Sequence, residues 1–154
     1  MTSSSFYEEG SNLLTPGAFA FVLDTELRRA VRSQNSLTLV VVEAAREWEG
    51  TTVTADDGTV GEVAQIIGRE VRDTDVLGHT ERGTVSLVLL DTDFEHSARV
   101  VDRLINRIDS YDFATPLRIA VGAACYPTHA VDAESLKRQA ISRPVAHWRG
   151  GSPH

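Results

Sequence analysis

The residues best suited to ligand chemistry lie in a short segment, Arg72-Asp73-Thr74-Asp75, and on a later basic helix face. Arg72 and Asp75 offer a guanidinium donor and a carboxylate acceptor in one turn. An arginine fork donates paired hydrogen bonds to a phosphate or to the edge of a planar ring, and a carboxylate accepts N–H groups. Arg99 and Arg103 follow at a spacing that places both on one face of a helix. The alternative is a solvated surface ion pair, worth under about 1 kcal/mol.

Composition restricts the classes of protein to be considered. The chain has 154 residues, a hydrophobic fraction of 42% and a net charge of −7 without any block of basic residues. These values favour one globular domain and argue against broad binding of DNA, RNA or an anionic membrane. A lone Cys125 in an apolar stretch is expected to be a packed thiol, and the five histidines never fall at metal-ligand spacing. We expect a cytoplasmic protein with no structural metal, cofactor or secretory signal.

Hydrophobic periodicity predicts the first half of the fold. A helix begins at Pro16, with apolar residues recurring at a period near 3.6. Leu37–Val42 is β-branched and almost continuously apolar, which is typical of a strand buried on both faces. The polar segment from Arg46 to Asp57 predicts a loop, and a second helix is expected from about Thr59 to Arg72. A short strand is then predicted over residues 75–79.

The second half predicts a hairpin followed by two more helices. Gly83 predicts the hairpin turn, Asp93 the N-cap of a third helix, and Asp132 the N-cap of a last helix that ends near Ala140. Residues 117–123 are predicted to form the strand between those helices. We therefore expect an α+β fold with a ferredoxin-like split βαβ core, an antiparallel sheet and flanking helices. The predicted domain spans residues 12–143, between a flexible N-terminus (1–11) and a flexible tail (144–154).

The order and spacing of the segments around the hairpin resemble a known family, the GGDEF domain of diguanylate cyclases. In that family an Arg-x-x-Asp motif stands five residues before the Gly-Gly-Asp/Glu-Glu-Phe signature. Counting from Asp75 puts the signature at Glu81-Arg82-Gly83-Thr84-Val85. Three further landmarks agree, and the resemblance covers about residues 12–142: Asn12-Leu13-Leu14-Thr15, the strand Ile119 to Pro127, and Asp132-Ala133-Glu134-Ser135-Leu136.

The resemblance implies a chemistry that this chain is not equipped to perform. Relatives condense GTP into cyclic di-GMP, using carboxylates on metal ions and glycines that let the backbone approach phosphates. Glu43 could stand for the first metal carboxylate, but the third signature position is Gly83 and the fourth is Thr84. Glu81 and Arg82 replace the paired glycines. The family's guanine-reading Asn is also missing, so we expect a degenerate domain without enzymatic activity.

The Arg-x-x-Asp motif is the inhibitory cyclic di-GMP site of active relatives, and its retention leads to the main functional hypothesis. Arg72 would pair with guanine or phosphate, and Asp75 would accept from the opposite guanine edge. Both side chains are expected to face outward. The resemblance adds a helix arginine, assigned here to Arg103 with Arg99 as its neighbour. The predicted function is a cyclic di-GMP receptor that signals to an unidentified protein partner, with a ligand-linked homodimer or hetero-contact.

Other hypotheses remain open. The fold could serve as a nucleotide-free interaction or dimerisation module. It could instead bind GTP without turnover through Glu43, Asp57 and Arg82, where Asp57 matches the aspartate that begins the family's second helix. The last hypothesis is residual cyclase activity.

Overall fold

The computed structural model describes Tyr7, residues 13–113 and residues 115–150. Within these ranges, helices and strands alternate largely as the periodicity predicts. The helices are α1 (Pro16–Ser33), α2 (Asp57–Glu70), α3 (Phe94–Asp109) and α4 (Ala133–Ser142). The strands are β1 (Leu37–Trp48), β2 (Thr51–Thr54), β3 (Val76–Glu81), β4 (Thr84–Leu90), β5 (Leu117–Tyr126) and β6 (Pro144–Gly150).

The strands form one antiparallel sheet in the order β3-β4-β1-β5-β6, and β2 pairs with the far end of β1. Helices cover both faces: α2 and α3 pack over one face, and α1 and α4 over the other. Central β1 contributes to both layers, with Val40 and Val42 on the α2/α3 side and Leu39 and Val41 on the α1/α4 side. This double burial explains the nearly continuous apolar run and confirms the expected α+β fold.

Capping side chains determine where the helices begin. The side chains of Thr15, Asp56, Asp93 and Asp132 accept from the backbone N–H three residues on. These bonds, from Thr59, His96 and Ser135, hold the pKa values of the three capping carboxyls below their ordinary value. The caps predicted at Asp93 and Asp132 are confirmed, whereas α2 begins two residues earlier than expected. No helix in the described ranges has the length and apolar character needed to cross a membrane.

The loop predicted between Arg46 and Asp57 is wrong, because most of this segment forms a two-stranded ribbon. β1 continues to Trp48, the chain reverses at Glu49 and Gly50, and β2 pairs back along β1. Both turn residues have positive φ, +48° and +80°, which suits a tight hairpin turn. The segment has a polar sequence because the ribbon is mostly exposed. Few of its side chains lie on a buried face, so no hydrophobic pattern predicts the strands.

The irregular tail predicted from residue 144 is also wrong for residues 144–150, which form β6 at the edge of the sheet. Ala146 and Trp148 pack against the α2/α3 core. The Trp148 indole donates to Asp109 Oδ1 at 2.9 Å, and Arg149 donates to Glu47 at 2.6 Å. Residues 151–154 and most of the N-terminal segment, including Asn12 of the first landmark, lie outside the described residues.

A half-buried histidine closes the loop after β5. The backbone N–H of Cys125 donates to Nδ1 of His129 at 2.9 Å, and the ring of Phe94 packs edge-on against the imidazole. Burial lowers the pKa of His129 below its ordinary value, and nearby Arg143 lowers it further. Cys125 itself is fully buried, as the apolar sequence around it predicts.

The lowered pKa of His129 predicts a pH-dependent stability. Below the ordinary pKa of 6.5 the unfolded chain takes up a proton at this residue more readily than the folded chain. The free energy of unfolding should therefore be constant above that pH and should fall as the pH drops below it. Urea denaturation at several pH values measures this slope. His129→Gln should flatten it and His147→Gln, at an exposed β6 position, should not; an unchanged slope in His129→Gln contradicts the assignment.

Candidate functional site: the Arg72 turn and the β3–β4 hairpin

The hairpin turn that the sequence singles out joins β3 to β4 at Glu81–Thr84, where the strand register shifts. Glu81 and Arg82 are exposed at its tip, whereas Gly83 and Thr84 are buried. Thr84 lies directly across from Glu43 of β1 in the antiparallel ladder. The hairpin turn and the Glu43 carboxylate are therefore neighbours, as the resemblance predicts.

Gly83 is closed in by the neighbouring ribbon. Its φ is +78°, a left-handed conformation that glycine adopts without penalty. A Cβ at this position would clash with Cγ2 of Thr54 and would lie 3.1 Å from the carbonyl oxygen of Ala44. The Gly83 carbonyl also accepts from the Ala44 N–H at 2.8 Å. The turn is thus packed against β1 and β2 and leaves no room for a side chain.

Glu43 lines a shallow groove on the α1/α4 face of the sheet. The groove has a volume of about 80 Å³, an apolar floor that includes Phe19 and Val41, and a rim that includes Lys137. Asp57 begins α2, which packs on the opposite face. The structure therefore does not bring Glu43 and Asp57 to one face of the sheet, which weighs against GTP binding through this pair.

The Arg-x-x-Asp motif forms a compact turn between α2 and β3. Asp75 Oδ2 accepts from the backbone N–H of Arg72 at 3.0 Å and from its Nε at 3.3 Å. Asp75 Oδ1 accepts from Arg72 Nη2 at 3.1 Å and from the backbone N–H of Leu90 at 3.2 Å. The carboxylate therefore binds both the guanidinium and the end of β4.

Only one of the two side chains faces outward. The Arg72 side chain is 56% exposed, but the Asp75 side chain is only 2% exposed. The expectation that both point to solvent is wrong for Asp75, because its carboxylate satisfies N–H groups on both sides of the turn. An outward Asp75 would leave the backbone N–H of Leu90 without this acceptor. The exposed chemistry of this motif is therefore that of an oriented arginine.

Two further groups bind the Arg72 guanidinium, through the same Nη2 that contacts Asp75. Nη2 donates to the carbonyl oxygen of Leu90 and, at 3.0 Å, to the hydroxyl of Thr92. Sequence reasoning missed Thr92, which it treated as part of the segment preceding α3. The segment Asp91-Thr92-Asp93 offers no signal for this contact, because Arg72 lies 20 residues earlier in the sequence.

The predicted helix arginines lie next to this turn. Arg103 Nη2 donates to the backbone carbonyl of Glu70, the last residue of α2, at 3.2 Å. Arg107 Nε lies 3.0 Å from the Glu70 carboxylate, so both α3 arginines reach α2 close to Arg72. Arg99 is exposed one helical turn before Arg103 and shares its face. We call Arg72, Arg99, Arg103 and Arg107 the arginine surface.

No protein-family model and no curated protein matches the sequence. Similar solved structures include a DGC protein from Thermotoga maritima, at 16% identity and TM-score 0.72, covering 86% of this chain and 96% of that one. The GGDEF domain of DgcB from Caulobacter crescentus, solved in complex with c-di-GMP, shares 14% identity at TM-score 0.77 and covers 92% and 86%. The FimX GGDEF domain from Pseudomonas aeruginosa shares 14% identity at TM-score 0.74 and covers 90% and 91%. The chain has the fold of the GGDEF domains of diguanylate cyclases.

Proposed function

We propose that this GGDEF-fold domain is catalytically inactive and binds cyclic di-GMP at the arginine surface. The observation that carries the proposal is the held guanidinium of Arg72, which is exposed, together with Arg103 of α3, which bonds the carbonyl of Glu70 two residues before Arg72. Arginine donates to phosphate oxygens and to the guanine edge, and a guanidinium that is already held loses less rotamer freedom when it binds.

The packing of the β3–β4 turn supports the lack of catalysis. Phosphoryl transfer needs metal ions held by carboxylates close to a triphosphate. Gly83, at the position of a metal carboxylate, is enclosed by Thr54 and Ala44, and Thr84 carries no charge. Glu81 adds a negative charge at the position of the first signature glycine, where a triphosphate would be repelled.

Charge at the other end of β4 favours an anionic ligand despite the net charge of −7. Glu70 partly neutralises Arg103 and Arg107, but Arg99 and Arg72 remain exposed on the same side. Guanidinium groups suit a dinucleotide, which offers phosphates and guanine edges as hydrogen-bond acceptors. That the DgcB domain of the same fold was solved in complex with c-di-GMP supports the choice of ligand.

Asp75 takes a different role in this proposal from the one that the sequence suggests. Its carboxylate is buried beneath Arg72 and accepts from the Leu90 N–H. It therefore positions the guanidinium rather than contacting the guanine N–H groups. The same internal bonding is what a purely structural link would show, and this observation favours the second candidate, a nucleotide-free interaction module.

Titration calorimetry with cyclic di-GMP distinguishes the two candidates. Arg72→Lys keeps a charge opposite the buried Asp75 but loses the planar fork, and Arg103→Ala removes the second arginine. Each should weaken binding roughly 10- to 100-fold, since a hydrogen bond to a charged group contributes about 1.5–3 kcal/mol.

Arg28→Ala is the matched control, because Arg28 is an exposed arginine on α1 that pairs with Asp24. It should leave the affinity unchanged. The absence of binding by the wild-type protein would reject the receptor and leave the interaction module.

A second prediction concerns the closed turn. Gly83→Asp restores a carboxylate to the third signature position, yet it should destabilise the fold by about 2–4 kcal/mol, adding overpacking to the left-handed backbone penalty. Gly50→Asp is the control, because Gly50 has a similar φ of +80° with open space around it and should lose only about 1 kcal/mol. Thermal unfolding measures both variants, and a cyclic di-GMP product assay on Gly83→Asp should remain blank. Product formation by the wild-type protein would contradict the proposed inactivity, and product formation by Gly83→Asp would contradict the role given to the closed turn.

A further inference from the structure

We propose that Thr92 is a positioning residue of the ligand site, whose buried hydroxyl orients the Arg72 guanidinium for contact with the ligand. This inference deepens the proposed cyclic di-GMP function and rests on it. Thr92 lies between β4 and α3 and is 7% exposed, so it cannot itself present a large contact to a ligand.

The hydroxyl has a defined direction. Its Oγ1 donates to the Leu90 carbonyl at 2.8 Å, which uses its only proton. A lone pair is therefore available to Arg72 Nη2, which donates to it at 3.0 Å. The Leu90 carbonyl and the Asp75 carboxylate also accept from Nη2, whose two protons are therefore shared among three acceptors.

The bonds from Thr92 and Leu90 add to those that Asp75 makes with Arg72. A flexible arginine side chain loses rotamer entropy when a ligand binds it, and this loss is smaller if the guanidinium is already held. Asp75 binds Nε and Nη2 from one side, while Thr92 and Leu90 bind Nη2 from the other. Among the described residues, Nη1 of Arg72 has no partner. This arrangement fixes the plane of the fork and leaves its outer nitrogen for the ligand.

Thr92 is itself held by the core. Its backbone carbonyl accepts from the hydroxyl of Thr38, a fully buried residue of β1, at 2.8 Å. The residue before it, Asp91, adopts a left-handed φ of +51° that turns the chain sharply at the end of β4. The position of the hydroxyl is thus set by a contact with the central strand.

Three variants separate orientation from stability. Thr92→Val keeps the shape and removes the hydroxyl, and should weaken cyclic di-GMP binding about tenfold, the range expected for one bond to a charged group. Thr92→Ser should restore wild-type affinity. Ser86→Ala removes a buried hydroxyl bond, to Thr80, near the other end of β4 and touches neither Thr92 nor Arg72, so it should lower the melting temperature and leave the affinity unchanged. If Thr92→Val does not fold, Thr92→Ala removes the hydroxyl without adding volume.

A ligand-free measurement tests the orientation directly. The Nε–Hε resonance of Arg72, assigned by its absence in Arg72→Lys, should be distinct and slow to exchange in the wild-type protein and in Ser86→Ala. In Thr92→Val it should shift toward the resonances of the exposed arginines and exchange faster, because the Nη2–Thr92 contact that limits rotation of the guanidinium is lost while the Nε–Asp75 contact remains. Unchanged affinity and an unchanged resonance in Thr92→Val would overturn the role of Thr92 while leaving the receptor intact. Absence of cyclic di-GMP binding by the wild-type protein would instead overturn the proposed function, and with it any role of Thr92 in ligand binding.

Discussion

The buried carboxylate of Asp75 joins two connections that are far apart in sequence. It accepts from Arg72 at the α2–β3 turn and from Leu90 at the end of β4, where the chain turns toward α3. An unpaired carboxylate in this position would cost several kcal/mol, so the guanidinium of Arg72 is required by the fold before any ligand is considered. The arginine surface depends on this pair, because it determines where the fork points.

The two features carried over from the family resemblance lie at opposite ends of β4. Thr84 begins the strand beside the closed turn, and Leu90 ends it beside Arg72, about 20 Å away at the usual rise per residue. Filling the space at Gly83 therefore leaves the Arg72 turn undisturbed. A domain can lose the geometry needed for phosphoryl transfer at one end and keep a basic surface at the other, which is the combination proposed for this chain.

Local signals predicted most of the fold, and they failed where burial depends on distant partners. The β1 core and the caps at Asp93 and Asp132 could be predicted, since a strand buried on both faces and an N-cap are each encoded within a few residues. The ribbon after Ala45 and the final strand could not. Trp148 packs against the core because Phe113 and Asp109 lie across from it. No pattern in the residues around Trp148 predicts that contact.

The sequence alone determined the residue types on which the functional argument depends: an arginine and an aspartate three positions apart, and a hairpin turn without metal-binding carboxylates at its third and fourth positions. Only the tertiary structure decided that Asp75 faces inward, that Thr54 covers Gly83, and that Thr92 holds Arg72. The reason is that a side chain turns toward the groups that satisfy its charge and fill its surroundings. For these residues the decisive groups, such as the N–H of Leu90, belong to segments brought close only when the sheet assembles.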